Sequence, residues 1–111
     1  MLLHGSHPLP DGGRVRLRLP LAHDRPGVHE LLADLRVEAE ELEVRRALRC
    51  VPGRRIAVCA TAWDGWCDRI VGFGALDVAD GAMTLLGPRD VTEVLEQALR
   101  EHAGAWSRRV A

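Results

Sequence analysis

The chain has 111 residues, which fits a single domain of about 100–200 residues. Its 47% hydrophobic content argues against a disordered or fibrous protein, and its formal charge of −1 gives no global field that would attract nucleic acid or an anionic membrane. No apolar run approaches the ~20 residues of a membrane span, and the N-terminus lacks the features of a signal peptide. The three cysteines form an odd set, so reduced thiols are expected. These features predict a cytoplasmic protein that binds neither nucleic acid nor membranes.

The first part of the chain predicts a lead-in, a strand and a helix. Residues 1–13 are rich in proline and glycine and are interpreted as a flexible lead-in. The segment 14–19 (RVRLRL) alternates between basic and apolar side chains, which predicts a half-buried strand whose apolar residues, Leu19 among them, face inward. Asp24-Arg25-Pro26 is typical of a helix start with Asp24 as the N-cap, and apolar residues follow at helical spacing.

Residues 37–51 predict a second helix, in which glutamates come early and arginines late. This order complements the helix dipole. A solvated helix face explains the sorting better than an acidic catalytic cluster does.

The middle of the chain predicts a β-hairpin. Two apolar segments, 56–63 (IAVCATAW) and 70–78 (IVGFGALDV), are joined through Asp64-Gly65, and their character suggests a sheet covered on both faces. Gly72 and Gly74 indicate a bulge or a close backbone approach. Alternation places Trp63 in the core, whereas Trp66, in the turn, is a candidate contact residue.

The last part of the chain predicts a short strand at Met83–Leu86 and an amphipathic helix from Asp90 to about Trp106, followed by a tail at 107–111. The element order is then strand, helix, helix, strand, strand, strand, helix. It predicts one α+β domain over residues 14–106, with a mainly antiparallel sheet of about four strands and helices on both faces.

This order, with the hairpin sequence and its Val71-Gly72-Phe73 stretch, resembles the N-terminal half of the GNAT superfamily of acyl-CoA-dependent N-acetyltransferases. The family's fourth strand binds the pantetheine arm of acetyl-CoA, and the start of the next helix receives the pyrophosphate. By position, the resemblance implies a cofactor site at Leu85, Leu86, Gly87 and Arg89. It also implies that an amine acceptor enters near Leu35, Arg36 and Glu38, between the first two helices.

The segment aligned with the family's pyrophosphate-binding turn departs from the family pattern. The family's turn has the form Q/R-x-x-G-x-G/A, but Val91, Thr92 and Glu93 supply none of its glycines. Asp90 and Glu93 instead have the spacing of a capping box, which would occupy the free amides and place negative charge where the pyrophosphate binds. These residues predict a cofactor site that is degenerate.

Other chemistry is weakly supported. The cysteines and histidines lack the spacing of a zinc site, so no metal is expected. A nucleophilic pair of Cys59 or Cys67 with His23 or His29 has no local signature, and the few aromatic residues supply poor stacking platforms for nucleic acid.

Two functional hypotheses stay open. The first is a GNAT-like N-acetyltransferase that uses acetyl-CoA. The second is a non-catalytic module of the same fold, which forms a homodimer or binds a partner through the Met83–Leu86 edge or Trp66. Because residues 107–111 cannot supply the family's fifth strand, Met83–Leu86 would be an open, uncharged edge, which we expect to be buried by another copy of the chain or by the last helix.

Overall fold

The computed structural model describes residues 5–38, 44, 48 and 54–110, with side chains to residue 103. Five strands form one antiparallel sheet in chain order: β1 (Gly5–Pro8), β2 (Arg14–Arg18), β3 (Arg55–Trp63), β4 (Asp68–Asp77) and β5 (Met83–Leu86). A 3₁₀ turn at Ala22–Asp24 leads into α1 (Arg25–Asp34), and the C-terminal helix is α2 (Arg89–Val110). Most of the predicted helix at 37–51 lies outside the described residues. None of the described helices combines the length and apolarity that crossing a bilayer requires.

The sheet has five strands and not the predicted four, because Gly5–Pro8 within the predicted lead-in pairs with β2. This edge strand is specified by backbone pairing and by a tight turn, in which the Leu9 amide donates to the Gly13 carbonyl over 2.8 Å. Strand β1 contains glycine and proline and lacks the alternation of apolar and polar side chains that indicates a strand, so the sequence did not predict it. Proline is tolerated here because β1 is an edge strand. Leu19, predicted to face inward, lies beyond the end of β2 and is 38% exposed.

The two faces of the sheet are covered by different helices, as predicted. Alternate residues of β3 point to opposite faces. Ile56, Val58 and Ala60 pack with Leu95 and Leu99 of α2 in one core cluster. On the other face, Ala57, Cys59, Phe73 and Ala75 pack with Leu31 of α1.

Glycines of β4 let α2 approach the sheet closely, and the strand bulges beside them. Ala60 pairs with Gly72 while Thr61 pairs with Ile70, so Val71 is the extra residue. A methyl group at Gly72 would meet the Val91 Cγ1 atom at 2.5 Å. The predicted bulge and close approach are therefore both present.

Candidate functional site

Strand β5 is an edge of the sheet. It pairs antiparallel with β4 from Phe73↔Leu86 to Leu76↔Met83, and no described strand pairs with its other side. Leu85 packs toward α2, whereas Leu86 packs toward α1, so the strand is anchored from both faces. Backbone groups on the outer side of an edge strand are available to a further chain or ligand.

Gly87 turns the chain from β5 into α2. Its φ is +136°, and a Cβ atom there would meet the Val71 carbonyl oxygen at 2.8 Å. Only glycine combines this backbone conformation with such close contact. Gly87 therefore fixes where α2 begins relative to the bulge of β4.

The helix α2 begins one residue earlier than predicted, at Arg89, and the predicted capping box is absent. The amides of Val91 and Thr92 donate to the Pro88 carbonyl, at 3.0 and 2.9 Å. Within the described chain, the Asp90 carboxylate accepts no hydrogen bond. Glu93 pairs with Arg89 instead, at 3.3 Å. The amides of Arg89 and Asp90 thus lack an intrahelical acceptor, but two carboxylates still lie in the first turns.

The predicted acceptor segment follows the end of α1. The Leu35 amide donates to the Leu31 carbonyl at 3.0 Å, and Arg36 adopts the left-handed conformation with a φ of 56°. Leu35 is half-buried, whereas Arg36 and Glu38 are exposed. Leu35 and Pro88 line one cavity of about 350 Å³, between α1 and the junction of β5 with α2. The structure therefore brings Leu35 beside the predicted cofactor segment, but Arg36 and Glu38 do not line this cavity.

A second cavity, of about 540 Å³, adjoins the first between α1 and the β3–β4 turn. The two cavities share five of their lining residues: Leu31, Asp34, Asp64, Arg69 and Ile70. We call the combined depression the groove. The second cavity is lined by five carboxylates and two arginines, which leaves an excess of three negative charges when His23 is neutral.

Both arginines of the groove are engaged by carboxylates. Arg18 donates to the two Asp24 oxygens at 2.7 Å each, and Asp24 also accepts from the Leu21 amide at 2.6 Å. Burial alone would raise the pKa of Asp24, but these hydrogen bonds outweigh burial and lower it. Arg69 donates to Glu30 at 2.7 Å. Asp24 was predicted to cap α1, but its side chain makes no cap and instead ties α1 to β2.

Two further carboxylates line the second cavity without an arginine partner. The described residues provide no hydrogen-bond or ion-pair partner for Asp34 or Asp68. Asp64 accepts hydrogen bonds from the amides of Trp66 and Cys67, at 2.8 Å each. Those amides hold its pKa below the usual range, so Asp64 is ionised at neutral pH. The acidic character of the groove therefore persists after its arginines are paired.

The tryptophans of the β3–β4 hairpin are exposed, which the sequence predicted only for one of them. Trp66 is 88% exposed in the turn, as predicted. Trp63, predicted to lie in the core, is 67% exposed and borders the smaller cavity. Trp63 is the last residue of β3 and pairs with the exposed Asp68, so it lies at the end of the hairpin, where the side chains of both strands leave the core.

Cys59 cannot serve as a nucleophile. Its side chain is fully buried between the sheet and α1, and burial raises the pKa of its thiol to about 12. Cys67 is exposed at the hairpin turn. Across the described ranges, no three histidine, cysteine or acidic side chains form a group that could hold a metal ion.

The chain is similar in structure to the GNAT domain of S. lividans PAT, with a TM-score of 0.67 and 17% sequence identity. The aligned region covers 96% of this chain and 73% of that chain. No protein-family model matches the sequence, and no curated protein matches it. The protein therefore has the GNAT-like α+β fold that its sequence predicted.

Proposed function

We propose that the protein binds acetyl-CoA at the β5 edge and the start of α2, and transfers its acyl group to an amine held in the groove. The observation that supports this is the position of Pro88, which follows the predicted cofactor strand and lines the same cavity as Leu35. In a GNAT-like fold, these are the two segments that the reaction requires side by side. We place the protein in the cytoplasm as part of this proposal, because reduced thiols persist there.

The residues present fit the pantetheine arm of acetyl-CoA better than its pyrophosphate. The outer edge of β5 is uncharged and can pair with the amide groups of a pantetheine arm. At the start of α2, the amides of Arg89 and Asp90 and the 91% exposed Arg89 side chain suit an anion. The Asp90 and Glu93 carboxylates oppose the pyrophosphate at that place. We therefore expect binding that is weak and sensitive to salt.

The groove supplies what an amine acceptor needs before it can react. When bound, the coenzyme supplies an activated acyl group, and the acceptor must lose a proton to attack it. The acidic lining attracts an ammonium ion, and Asp34 lies where the two cavities meet. We assign to Asp34 the acceptance of that proton through water. Transfer would break the thioester bond and release the coenzyme as a thiol, whose proton would come from solvent water. Leu35 and Pro88 supply the apolar side of the same cavity.

The test is a titration with acetyl-CoA, followed by calorimetry and thermal unfolding. A ligand at 100 times its dissociation constant stabilises a fold by roughly 2.7 kcal/mol, which is easily measured in a small domain. Arg89→Ala should weaken binding, whereas Asp90→Asn should strengthen it because a competing charge is removed. Glu96→Gln removes a charge from the same helix two turns away and serves as the control.

Absence of any stabilisation at millimolar acetyl-CoA would reject the proposed activity. If binding is seen but Asp90→Asn and Glu96→Gln behave alike, the coenzyme does not reach the start of α2. If acetyl-CoA binds and Asp90→Asn strengthens that binding more than Glu96→Gln does, Asp34→Asn should lower kcat with an amine acceptor while coenzyme affinity stays unchanged.

A second candidate function is a non-catalytic module that forms a homodimer through β5. The observation that favours it is the open edge itself, which carries no charge or proline within Met83–Leu86. Such edges are normally paired, covered or charged. Thr84 is exposed, so Thr84→Lys should break the dimer without disturbing the core, while Thr84→Val should preserve it. A sedimentation experiment that finds only monomer at high concentration would reject this candidate.

A further inference from the structure

The groove has two chemically different ends. Its apolar end is lined by residues of two strands and by residues next to the two helices: Ala62 and Trp63 of β3, Val71 of β4, Leu35 just after α1 and Pro88 just before α2. Its other end is acidic, with Asp34 and Asp64 at the boundary and Asp68 beyond them. A ligand that fills the groove must therefore present an apolar group and a cation a short distance apart.

The ligand must carry positive charge because the carboxylates of the groove outnumber its arginines. Arg18 and Arg69 are each held by a carboxylate at 2.7 Å and do not neutralise the remaining three. Asp64 approaches Arg69 only at 4.0 Å, and the carboxylates of Asp34 and Asp68 make no hydrogen bond or close ion pair within the described part of the chain, although Arg18 acts on Asp68 at longer range. Negative charges placed together around a depression attract an incoming cation and repel phosphate groups.

The two exposed tryptophans belong to the same region of the surface. Trp63 borders the apolar end, and Trp66 lies in the turn whose Asp64 and Cys67 line the acidic end. Aromatic faces beside carboxylates attract arginine and lysine by cation–π interaction as well as by charge. Exposed tryptophan is also enriched in protein interfaces, where it contributes much of the binding energy.

We infer that the groove docks a basic peptide segment of a partner protein, in which arginine or lysine is followed by a bulky apolar residue. The basic side chains occupy the acidic end beside Trp66, and the apolar residue occupies the end formed by Leu35 and Pro88. A free polyamine would satisfy the carboxylates but leave the apolar end empty, and a nucleic acid would be repelled. This inference deepens the proposed function and rests on it, because the groove that docks the peptide is the one proposed to hold the amine acceptor; the docking itself requires no coenzyme, so its failure can be told apart from failure of the transfer reaction.

The experiment measures binding of a fluorescein-labelled peptide, Gly-Ser-Arg-Lys-Leu-Gly-Ser, to the whole chain by fluorescence anisotropy without acetyl-CoA. We expect saturable binding that weakens at least tenfold when salt is raised from 0.05 to 0.5 M, because the charges are exposed to solvent. Replacing the peptide leucine by serine should weaken binding several-fold. Replacing its arginine and lysine by glutamate should abolish it.

A pair of charge-matched variants locates the site. Asp34→Asn/Asp68→Asn should weaken binding at least tenfold, and Trp66→Ala should weaken it several-fold. Asp77→Asn/Asp80→Asn is the control, because it removes two charges at the far β4–β5 turn. In the unmodified chain, Asp77 accepts from the Ala79 amide at 3.1 Å and Asp80 accepts from the Ala82 amide at 2.8 Å. The side-chain oxygens of the two asparagines can accept the same hydrogen bonds. Circular dichroism verifies that each variant is folded.

Several results would overturn the inference. The first is that the peptide shows no saturable binding to the unmodified chain. The second is that the two double variants of the protein weaken peptide binding equally, and the third is that replacing the peptide leucine by serine leaves the affinity unchanged. Spermine binding as tightly as the peptide would assign the groove to small polyamines. Self-association that Asp34→Asn/Asp68→Asn abolishes would instead place a second copy there. Because the peptide variants are tested on the unmodified chain, the inference can be rejected even if a protein variant misfolds.

Discussion

Replacing Arg18 by methionine tests whether the buried Asp24 carboxylate depends on its guanidinium partner. The Asp24 side chain is 3% exposed, and that of Arg18 is 30% exposed. Methionine keeps much of the aliphatic length of arginine, but it leaves the carboxylate with a single donor, the Leu21 amide at 2.6 Å. The change therefore creates a buried charge with most of its compensation removed.

The magnitude follows from the burial of the two partners. Breaking a fully buried ion pair by removing one partner costs about 3–5 kcal/mol. Because the Arg18 guanidinium is partly exposed, we expect Arg18→Met to lower the free energy of unfolding by about 2–3 kcal/mol at pH 7. Asp24→Asn should cost less, about 1–2 kcal/mol, since the remaining guanidinium can turn toward solvent. These losses are large beside the ~5–15 kcal/mol stability of a typical domain.

The effect should depend on pH with a definite sign. In the unmodified protein the pKa of Asp24 is lowered, so its contribution to stability is present above the unfolded pKa and is lost as pH falls through the folded value. Without Arg18, we expect burial to outweigh the remaining Leu21 hydrogen bond and the nearby His23, and so to raise the folded pKa of Asp24. Protonation then relieves the buried charge, and the deficit of Arg18→Met relative to the unmodified protein should shrink as pH falls from 7 toward about 4.

Urea unfolding followed by far-ultraviolet circular dichroism, at several pH values, measures these differences. The control is Arg69→Met, which breaks the Arg69–Glu30 pair of equal length whose side chains are 48% and 61% exposed. Exposed pairs contribute about 0–1 kcal/mol, so this variant should stay close to the unmodified protein. Equal losses for Arg18→Met and Arg69→Met, or a deficit for Arg18→Met that does not change with pH, would refute the reasoning.

Two further predictions concern the core and the thiols. Gly72→Ala should lower the free energy of unfolding by about 1–3 kcal/mol in thermal or urea denaturation, because the added methyl meets Val91 at 2.5 Å. Gly81→Asn, at a turn position with a φ of +74° and open space, is the control and should cost little. Iodoacetamide should modify Cys67 in the folded protein but reach Cys59 only in denaturant, as read by peptide mass mapping. Equal rates for the two thiols under native conditions would show that Cys59 is not held in the core.

The elements carried by side-chain periodicity were predictable, whereas those defined by backbone pairing or long-range contact were not. The strand Met83–Leu86 has the predicted bounds, and Gly72 marks the bulge because a missing side chain is visible in the sequence. Strand β1 has no such pattern, since glycine and proline say little about pairing. The pairing of Arg18 with Asp24 was missed because helix capping competes with tertiary pairing for the same carboxylate.

The start of α2 was misplaced for a related reason. Asp90 and Glu93 have capping spacing, but Pro88 precedes Arg89 and its carbonyl accepts the first helical bonds. Pro88 was the signal that could have moved the predicted start by one residue, because proline is favoured at the beginning of a helix. The groove could not be predicted at all, since Asp34, Asp64 and Asp68 come together only when α1 packs against the hairpin.

The two candidate functions of β5 compete for the same backbone groups, and this competition decides between them. The outer side of a short edge strand can pair once, either with a pantetheine arm or with a second copy of β5. If both occur, acetyl-CoA must dissociate the dimer, and raising protein concentration must weaken apparent coenzyme affinity by the same linkage. Sedimentation of the chain with and without acetyl-CoA measures this coupling directly. A dimer that binds acetyl-CoA without dissociating would show that at least one of the two partners does not use β5.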